Sequence, residues 1–363
     1  MALHTADYAE KRKVMTAMSG GVDSSAAVLL LKSQGYDVGG MTMRLLEEGL
    51  NDRDIEDAAK VAEMFGVPFF VADIRREFSE KVISDFIGAY QAGATPNPCV
   101  VCNRHIKFSE FMKCAREYGY DGMATGHYAK VEYDAGSGRY LLKKAKDLNK
   151  DQSYMLYGLN QEQLARTIFP LGDMTKAEVR AFAEENHIVT AHKSESQDIC
   201  FVRDGDYAGL IERLTGRAFE EGDFVDESGS VIGRHKGIIR YTIGQRKGLG
   251  IAAGKPIFVY EKDAEKNIVR VGEESLLFGK TLEAHDINLI ACDRLNRPIR
   301  GEVKIRYSHR VSPAVIEQTG EDTLRVEFDE PQRAITKGQS VVIYDGDTVI
   351  GGGIIAKTIA ERD

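Results

Sequence analysis

The chain has 363 residues, 43% of them apolar and 29% charged, with a formal net charge of −8 and five cysteines. Its length exceeds what one hydrophobic core normally serves, so about two or three domains are expected, and its composition excludes a disordered or fibrous protein. No apolar run is long enough to cross a bilayer, the stretch 1–15 lacks a signal-peptide core, and an odd cysteine count argues against a disulfide framework, so a cytoplasmic protein with no membrane partner is expected.

In chain order, an apolar strand at KVMTAM (13–18) precedes a helical period over 24–34. Strand DVGGMTMRL (37–45), helix 52–66, strand PFFVAD (68–73) and helix 75–92 follow. This alternation predicts βαβ units on a doubly wound parallel sheet. Further helical periods lie at 106–118 and 175–187, the second opening with Thr175 and Glu178 in capping-box spacing. A short helix at 207–214 leads into glycine-rich short strands. From Leu276 on, the segments EVKIRY, AVIEQT, TLRVEF, QSVVIYD and TVIGGGII alternate with period two and predict a small β-barrel or sandwich. The division expected is a catalytic α/β domain over 1–204, a small central domain over 205–275 and a β-barrel domain over 276–363.

The sharpest local signal is VMTAMSGGVDSSAAVLLL (14–31), where a strand runs through Ser19-Gly20-Gly21-Val22-Asp23-Ser24-Ser25 into a helix. Glycines allow close backbone approach, serines add hydroxyl donors, and the free N–H groups of a helix start favour an anion, so the bend reads as a pyrophosphate cradle. It is not an ATPase P-loop, because the Gly-Lys-Ser/Thr ending is missing.

The stretch TPNPCVVCNRHIKF (95–108) sets Cys99 three positions before Cys102, in what reads as a loop ahead of a helix. Half a zinc site, a redox pair, part of a cluster ligand set and a catalytic thiol with a neighbour all share this spacing. Zinc wants four ligands and the chain has no second Cys-x-x-Cys; a thioredoxin-like pair belongs at a first βα junction, which this is not. Arg104, His105 and Lys107 are expected to favour the Cys102 thiolate. Cys114, on a stripe with Phe111, Ala115 and Tyr118, and Cys292, in INLIACD, read as core. Although the net charge is negative, Val231–Lys255 carries six Lys or Arg and no acid, and Arg294–Arg310 carries six against Glu302 alone. Two such runs point to a polyanionic partner.

The bend SGGVDS resembles the motif of the N-type ATP pyrophosphatase family, whose members cleave ATP between the α and β phosphates. The stretches TPNPCVVCNRHIKF, ATGHYA (124–129), KDQSYML (150–156), SESQDICFV (194–202), YTIGQRKGLG (241–250), IRYSHR (305–310) and PQRAITKGQSVVIYD (331–345) extend the likeness to the bacterial tRNA 2-thiouridylases, nearly end to end. The resemblance implies an adenine nucleotide alpha hydrolase-like catalytic domain. It implies ATP-dependent 2-thiolation of the wobble uridine of tRNAs for lysine, glutamate and glutamine. Ala17, Met18, Ser19, Gly20, Gly21, Val22, Asp23, Ser24, Met43 and Gly126 would contact ATP, with Mg²⁺ as its charge partner. Cys200 would carry a persulfide and Cys102 would attack it. Asn97, Pro98 and Cys99 would touch the flipped base, while His127, Lys150, Asp151, Gln152, Arg306, Tyr307 and Gln339 would contact the anticodon arm of the tRNA. The sulfur would come from a cysteine desulfurase or a sulfur-relay protein. The family pattern has Asp where this chain has Cys99. Either Cys99, Cys102 and Cys200 hold a [4Fe–4S] cluster through three irons, or the cysteines act by persulfide and disulfide exchange alone. A small-molecule ligase sharing the ATP cradle, and a non-enzymatic iron–sulfur or RNA-binding module, are the rival readings.

Overall fold

A computed structural model describes residues 13–47, 52–191, 193, 199–202, 205–252 and 254–359. Five parallel strands form the first sheet: β1 (Lys13–Ala17), β2 (Asp37–Arg44), β3 (Phe69–Asp73), β4 (Gly122–Thr125) and β7 (Thr167–Ile168), in the order β3-β2-β1-β4-β7. Successive strand residues point to opposite faces, so Val14 enters one core with α1 (Val22–Ser33), α2 (Asp52–Phe65) and the helix Lys176–Glu185. Met15 enters the other, with Phe78, Phe86, Ile106 and Phe111 of the helices spanning 75–91 and 98–117. Both faces of the sheet are covered, as a parallel sheet requires, and the doubly wound architecture is present. The capping box at Thr175 and Glu178 forms as its spacing predicts.

Two local outcomes differ from the sequence reading. The helix expected over 106–118 begins eight residues earlier, at Pro98, and runs to Glu117 through a π-helical segment, Asn103–Glu110. Pro98 occupies the first helical position, where its missing N–H costs nothing, so the Pro-Asn-Pro run marks a helix start rather than an extended loop. The α/β region also contains an antiparallel hairpin, β5 (Lys130–Asp134) with β6 (Arg139–Lys143), turned by the Asp134 carboxylate accepting from the backbone N–H groups of Gly136 and Ser137.

The central region packs the helix Tyr207–Thr215, capped by the Asp206 side chain, against a four-stranded sheet. That sheet is built from β8 (Gly222–Val225), β9 (Val231–His235), β10 (Phe258–Asp263) and β11 (Ile268–Gly272). In the last region β12 (Phe278–Leu289), β13 (Ile299–Lys304), β14 (Ser312–Gly320), β15 (Thr323–Arg333), β16 (Ser340–Asp345) and β17 (Thr348–Ile359) pair in the order β12-β15-β14-β13-β16-β17. A further β12–β17 pairing closes the ring. Closure removes exposed sheet edges, and the barrel interior is filled by Leu282, Val326, Phe328, Ile343 and Ile355. The β5–β6 hairpin extends this sheet through Lys143 and Thr348. A piece of the α/β region is thereby fastened to the barrel.

Candidate active site

The cradle lies where β1 gives way to α1. Gly20 has φ +67°, and a Cβ there would stand 2.6 Å from the Asp54 carbonyl oxygen. Only glycine fits this left-handed bend against the first turn of α2. Gly21 precedes α1 in an extended conformation without a side-chain cap. Ser24 Oγ accepts from Ser19 N at 3.2 Å and donates to Gly21 O at 3.1 Å, and Ser25 Oγ donates to the same carbonyl at 2.8 Å. The serines therefore brace the bend from within. Gly126, just past β4, closes one side: a Cβ there would lie 2.8 Å from Ser24 N and from the Asp23 carbonyl carbon. Met18 N donates to Met41 O, and Thr42 Oγ1 donates to Met18 O at 2.8 Å, tying the bend to β2, where Met43 sits half-buried. Residues 17–24 run continuously through the bend and Gly126 packs against its Asp23–Ser24 turn, while the Met18 and Val22 side chains are buried in the core.

Two lysines with no mark in the local sequence complete it. Lys176, 8% exposed, puts Nζ 2.7 and 2.8 Å from the Asp23 carboxylate oxygens, and the Tyr128 hydroxyl donates to Asp23 Oδ1 at 2.8 Å. Lys193 Nζ donates to Gly20 O at 3.1 Å and pairs with Asp54 and Asp57, each at 2.9 Å. Burial works against the Lys193 charge, but its hydrogen bonds to Asp57 and Asp54 outweigh that and raise its pKa; the same contact lowers that of Asp57.

Cys99 and Cys102 stand on the first turn of the helix from Pro98, three positions apart on one side. Cys99 and Cys200 are exposed while Cys102 is buried, at 7%. The three are in mutual electrostatic range. Burial drives the Cys102 thiol up to about 12, with Cys200 and Cys99 adding to the rise and Lys107 opposing it. Cys200 is also raised, first by the protein around its sulfur despite its exposed surface, again against Lys107. The sequence suggested a thiolate at Cys102; in this arrangement it is a thiol. Arg104, one of the three cations expected to help, is turned away to Asp286 at 2.7 Å, and the His105 pKa is itself lowered by burial. Cys200 is carried by Phe201, whose ring meets Phe78 and Phe86 edge-on at 5.7 and 5.2 Å. The stretch 194–198 of the SESQDICFV motif lies outside the described residues.

Among the described residues no three Cys, His, Asp or Glu side chains are gathered to hold a metal ion. Cys99, Cys102 and Cys200 are not such a group, so as arranged here they do not form a preformed [4Fe–4S] site. The cradle does fit a nucleotide phosphate chain, and the carboxylates that its flanking lysines hold are Asp23, Asp54 and Asp57. Cys114 and Cys292 are half-buried against apolar cores.

The residues expected at tRNA fall into two kinds. Asn97, Pro98 and Cys99 open the thiol-bearing helix, with Asn97 Nδ2 3.5 Å from Met155 Sδ. His127 follows Gly126 directly; its Nδ1 is 2.7 Å from Thr125 Oγ1, and burial, with Lys107, holds its pKa well below the ordinary histidine value. Gln152 pairs with the backbone of Tyr128, and Tyr307, 38% exposed, stands in the turn after β13 instead of in the strand expected there. Lys150 donates its backbone N–H to Asp147 O. Asp151, Arg306 and Gln339, by contrast, are engaged internally. Asp151 is 7% exposed and accepts from Ala145 N, Ser153 N and Ser153 Oγ. Arg306 donates to Ala334 O at 2.8 Å and Thr336 Oγ1 at 2.6 Å. Gln339 Nε2 donates to Thr95 O and Pro96 O, joining the barrel to the segment just ahead of Asn97. Of the basic runs, Arg234, Arg240, Lys255 and Arg300 are neutralised by Asp223, Glu212, Glu273 and Asp329. Arg246, Lys247, Arg294, Arg297 and Arg310 have no ion pair among the described residues.

Three domain families match in succession: "tRNA methyl transferase HUP domain" over residues 12–204, "tRNA methyl transferase PRC-barrel domain" over 211–273 and "Aminomethyltransferase beta-barrel domain" over 279–355. The tRNA-specific 2-thiouridylase MnmA of Clostridioides difficile is 53% identical over 96% of this chain and 99% of its own. That of Acetivibrio thermocellus is 48% identical over 95% and 99%. Among solved structures, the U34-tRNA thiolase NcsA from Methanococcus maripaludis is 19% identical, with a TM-score of 0.35, over 56% of this chain and 66% of that one; a likeness so distant carries no argument about the site. With a relative more than half identical along nearly its whole length, this chain belongs to the tRNA-specific 2-thiouridylase family.

Proposed function

We propose that the protein uses ATP to replace O2 of the wobble uridine, position 34, with sulfur in tRNAs for lysine, glutamate and glutamine. The observation that carries this reading is the junction at Gly126-His127. Gly126 packs on the first turn of α1 in the cradle, and the next residue shares the field of Lys107 with Cys102 and Cys200. On this reading a nucleotide in the cradle and the thiols would border one space. The cradle N–H groups would hold the phosphates, with Mg²⁺ supplying further positive charge when bound.

Uracil oxygen is a poor leaving group. Attack by O2 on the α-phosphorus releases pyrophosphate and turns O2 into part of AMP. The terminal sulfur of a Cys200 persulfide then adds at C2 and expels AMP. Cys102 attacks the Cys200 sulfur, breaking the S–S bond, so that the electron pair stays with the sulfur on C2 and a Cys102–Cys200 disulfide remains. A thiol reductant restores the pair, and a cysteine desulfurase or a sulfur-relay protein reloads Cys200. Extrusion of the base from the anticodon stack brings C2 to this space, beside Asn97, Pro98 and Cys99. The unpaired basic residues of the central and barrel regions supply phosphate contacts.

The test combines tRNA transcript, ATP, cysteine and a cysteine desulfurase, followed by nucleoside mass spectrometry. Wild type yields 2-thiouridine, and Cys200→Ser yields none while still binding ATP and tRNA. Pyrophosphate release that needs a metabolite and ignores tRNA would favour the small-molecule ligase; a methylated nucleoside would overturn thiolation outright.

A further inference from the structure

Between Ser19 and Ser25 the only charged side chain is Asp23, and it is negative. An ATPase P-loop meets the triphosphate with a lysine of its own; this bend has none. The fold brings two from elsewhere. Lys176 stands at the Asp23 end, and Lys193 reaches the Gly20 carbonyl at the other. In the resting arrangement Lys176, Lys193 and, at 3.8 Å from Asp57, Lys60 face the three carboxylates Asp23, Asp54 and Asp57. These pairs leave no surplus of positive charge for a polyanion, even though the backbone of the bend is shaped to receive one.

We propose that Lys176 and Lys193 are the phosphate-binding cations of this cradle, and that each exchanges its carboxylate partners for phosphate oxygens when ATP enters. The assignment rests on the reading of the bend as an ATP site. Lys176 is the first residue of a helix fixed by the Thr175–Glu178 capping box, its own N–H is taken by Asp147 Oδ2 at 3.0 Å, and its ammonium stands 5.8 Å from the Tyr128 ring centre. A lysine held this firmly beside the nucleotide motif is preorganised, needing only its terminal rotors to turn from Asp23 to a phosphate. Lys193 already bonds the bend's own backbone. A lysine ammonium has three donors and can keep one contact while changing another. Negative charge accumulates on the β and γ phosphates as pyrophosphate departs, and two fixed cations flanking the bend are placed to stabilise it. A purely structural role would instead keep both ion pairs closed with nucleotide bound.

The test is nucleotide binding by calorimetry without tRNA, comparing α,β-methylene ATP with AMP. Native protein is expected to bind the triphosphate analogue at least about tenfold more tightly than AMP, since only the former reaches both lysines. Lys176→Met and Lys193→Met should each weaken the analogue about tenfold to a hundredfold and leave AMP within about twofold. Lys176→Arg and Lys193→Arg, which keep the charge and the fold, should restore most of the affinity. Equal affinity of native protein for the two ligands overturns the assignment even if a Met variant fails to fold. So does equal weakening of both ligands in a folded Met variant. Native protein that binds neither ligand would sink the ATP-site reading as well, whereas lysine-dependent triphosphate binding without thiolation would leave this assignment standing.

Discussion

Gly126→Ala is the sharpest single test of the shared space between cradle and thiols. The added Cβ would stand 2.8 Å from two backbone atoms of the Asp23–Ser24 turn. Carbon contacts are comfortable at about 3.5–4.0 Å, so the two segments must part by about 0.7–1.2 Å. Neither can give way cheaply. The Ser24 side is braced by its hydroxyl bonds to Ser19 and Gly21, and residue 126 is fixed by β4 in the sheet. Overpacking of this kind costs about 1–3 kcal/mol, well within the stability of a folded domain, so the protein should stay folded with a lowered Tm. A misplacement near 1 Å in a reacting constellation costs about a hundredfold in rate. The assay is tRNA-dependent pyrophosphate release at saturating tRNA. Gly88→Ala is the control, because a Cβ there meets nothing within 4 Å and the residue lies inside a helix. Wild-type kcat and ATP affinity in Gly126→Ala, with Gly88→Ala equally unaffected, would refute the placement of phosphates against this turn.

Alkylation by iodoacetamide in the free protein should modify exposed Cys99 and Cys200 before Cys102. At pH 8 a thiol with a pKa near 12 is ionised about one part in ten thousand, so peptide mass mapping showing Cys102 modified first would contradict its burial as a thiol. Arg306→Ala removes bonds to Ala334 and Thr336, and is expected to lower stability by about 1–3 kcal/mol in a denaturant titration. An unchanged midpoint with a reduced salt dependence of tRNA binding would mean that the guanidinium serves the tRNA instead. Gln339→Ala releases Thr95 and Pro96, the residues that lead into the thiol helix, so kcat should fall with little change in tRNA affinity; a pure affinity loss would count against this. His127 has a folded pKa far below the usual 6.5, so the unfolded chain takes up its proton first as pH falls. Stability should decline below about pH 6.5, and His127→Gln should flatten that decline in thermal melts.

What could be read from the sequence is what depends on neighbours along the chain. Period-two and period-3.6 patterns gave the alternating strands and helices of the first region and the strands of the barrel. The Ser19–Ser25 bend carried its chemistry in contiguous residues. The Thr175 capping box was legible for the same reason. The start of the thiol helix falls within the stretch that reads as a loop ahead of a helix, because a proline is well suited to a helix's first position. The thiolate expected at Cys102 failed on a quantity no local pattern contains: burial, which outweighs the nearby lysine. Charge runs overstated the basic surface, since Asp223, Glu212, Glu273 and Asp329 arrive from distant positions to pair with it.

The same limit explains why Lys176 and Lys193 escaped notice. Neither sits in a run or a motif of its own, and their partners are more than a hundred positions away. A P-loop writes its phosphate cation into the loop; here the bend and its positive charge are separated in sequence and reunited by the sheet. That separation has a physical consequence. Lys193 lies seven residues before Cys200 in the chain, so a lysine that changes partners with the nucleotide is close in sequence to the sulfur. If the charge at the phosphates sets the position of the thiol, nucleotide binding should alter the alkylation rate of Cys200 in native protein but not in Lys193→Met. Equal nucleotide effects in both proteins would separate the two events and leave Lys193 as a phosphate contact alone.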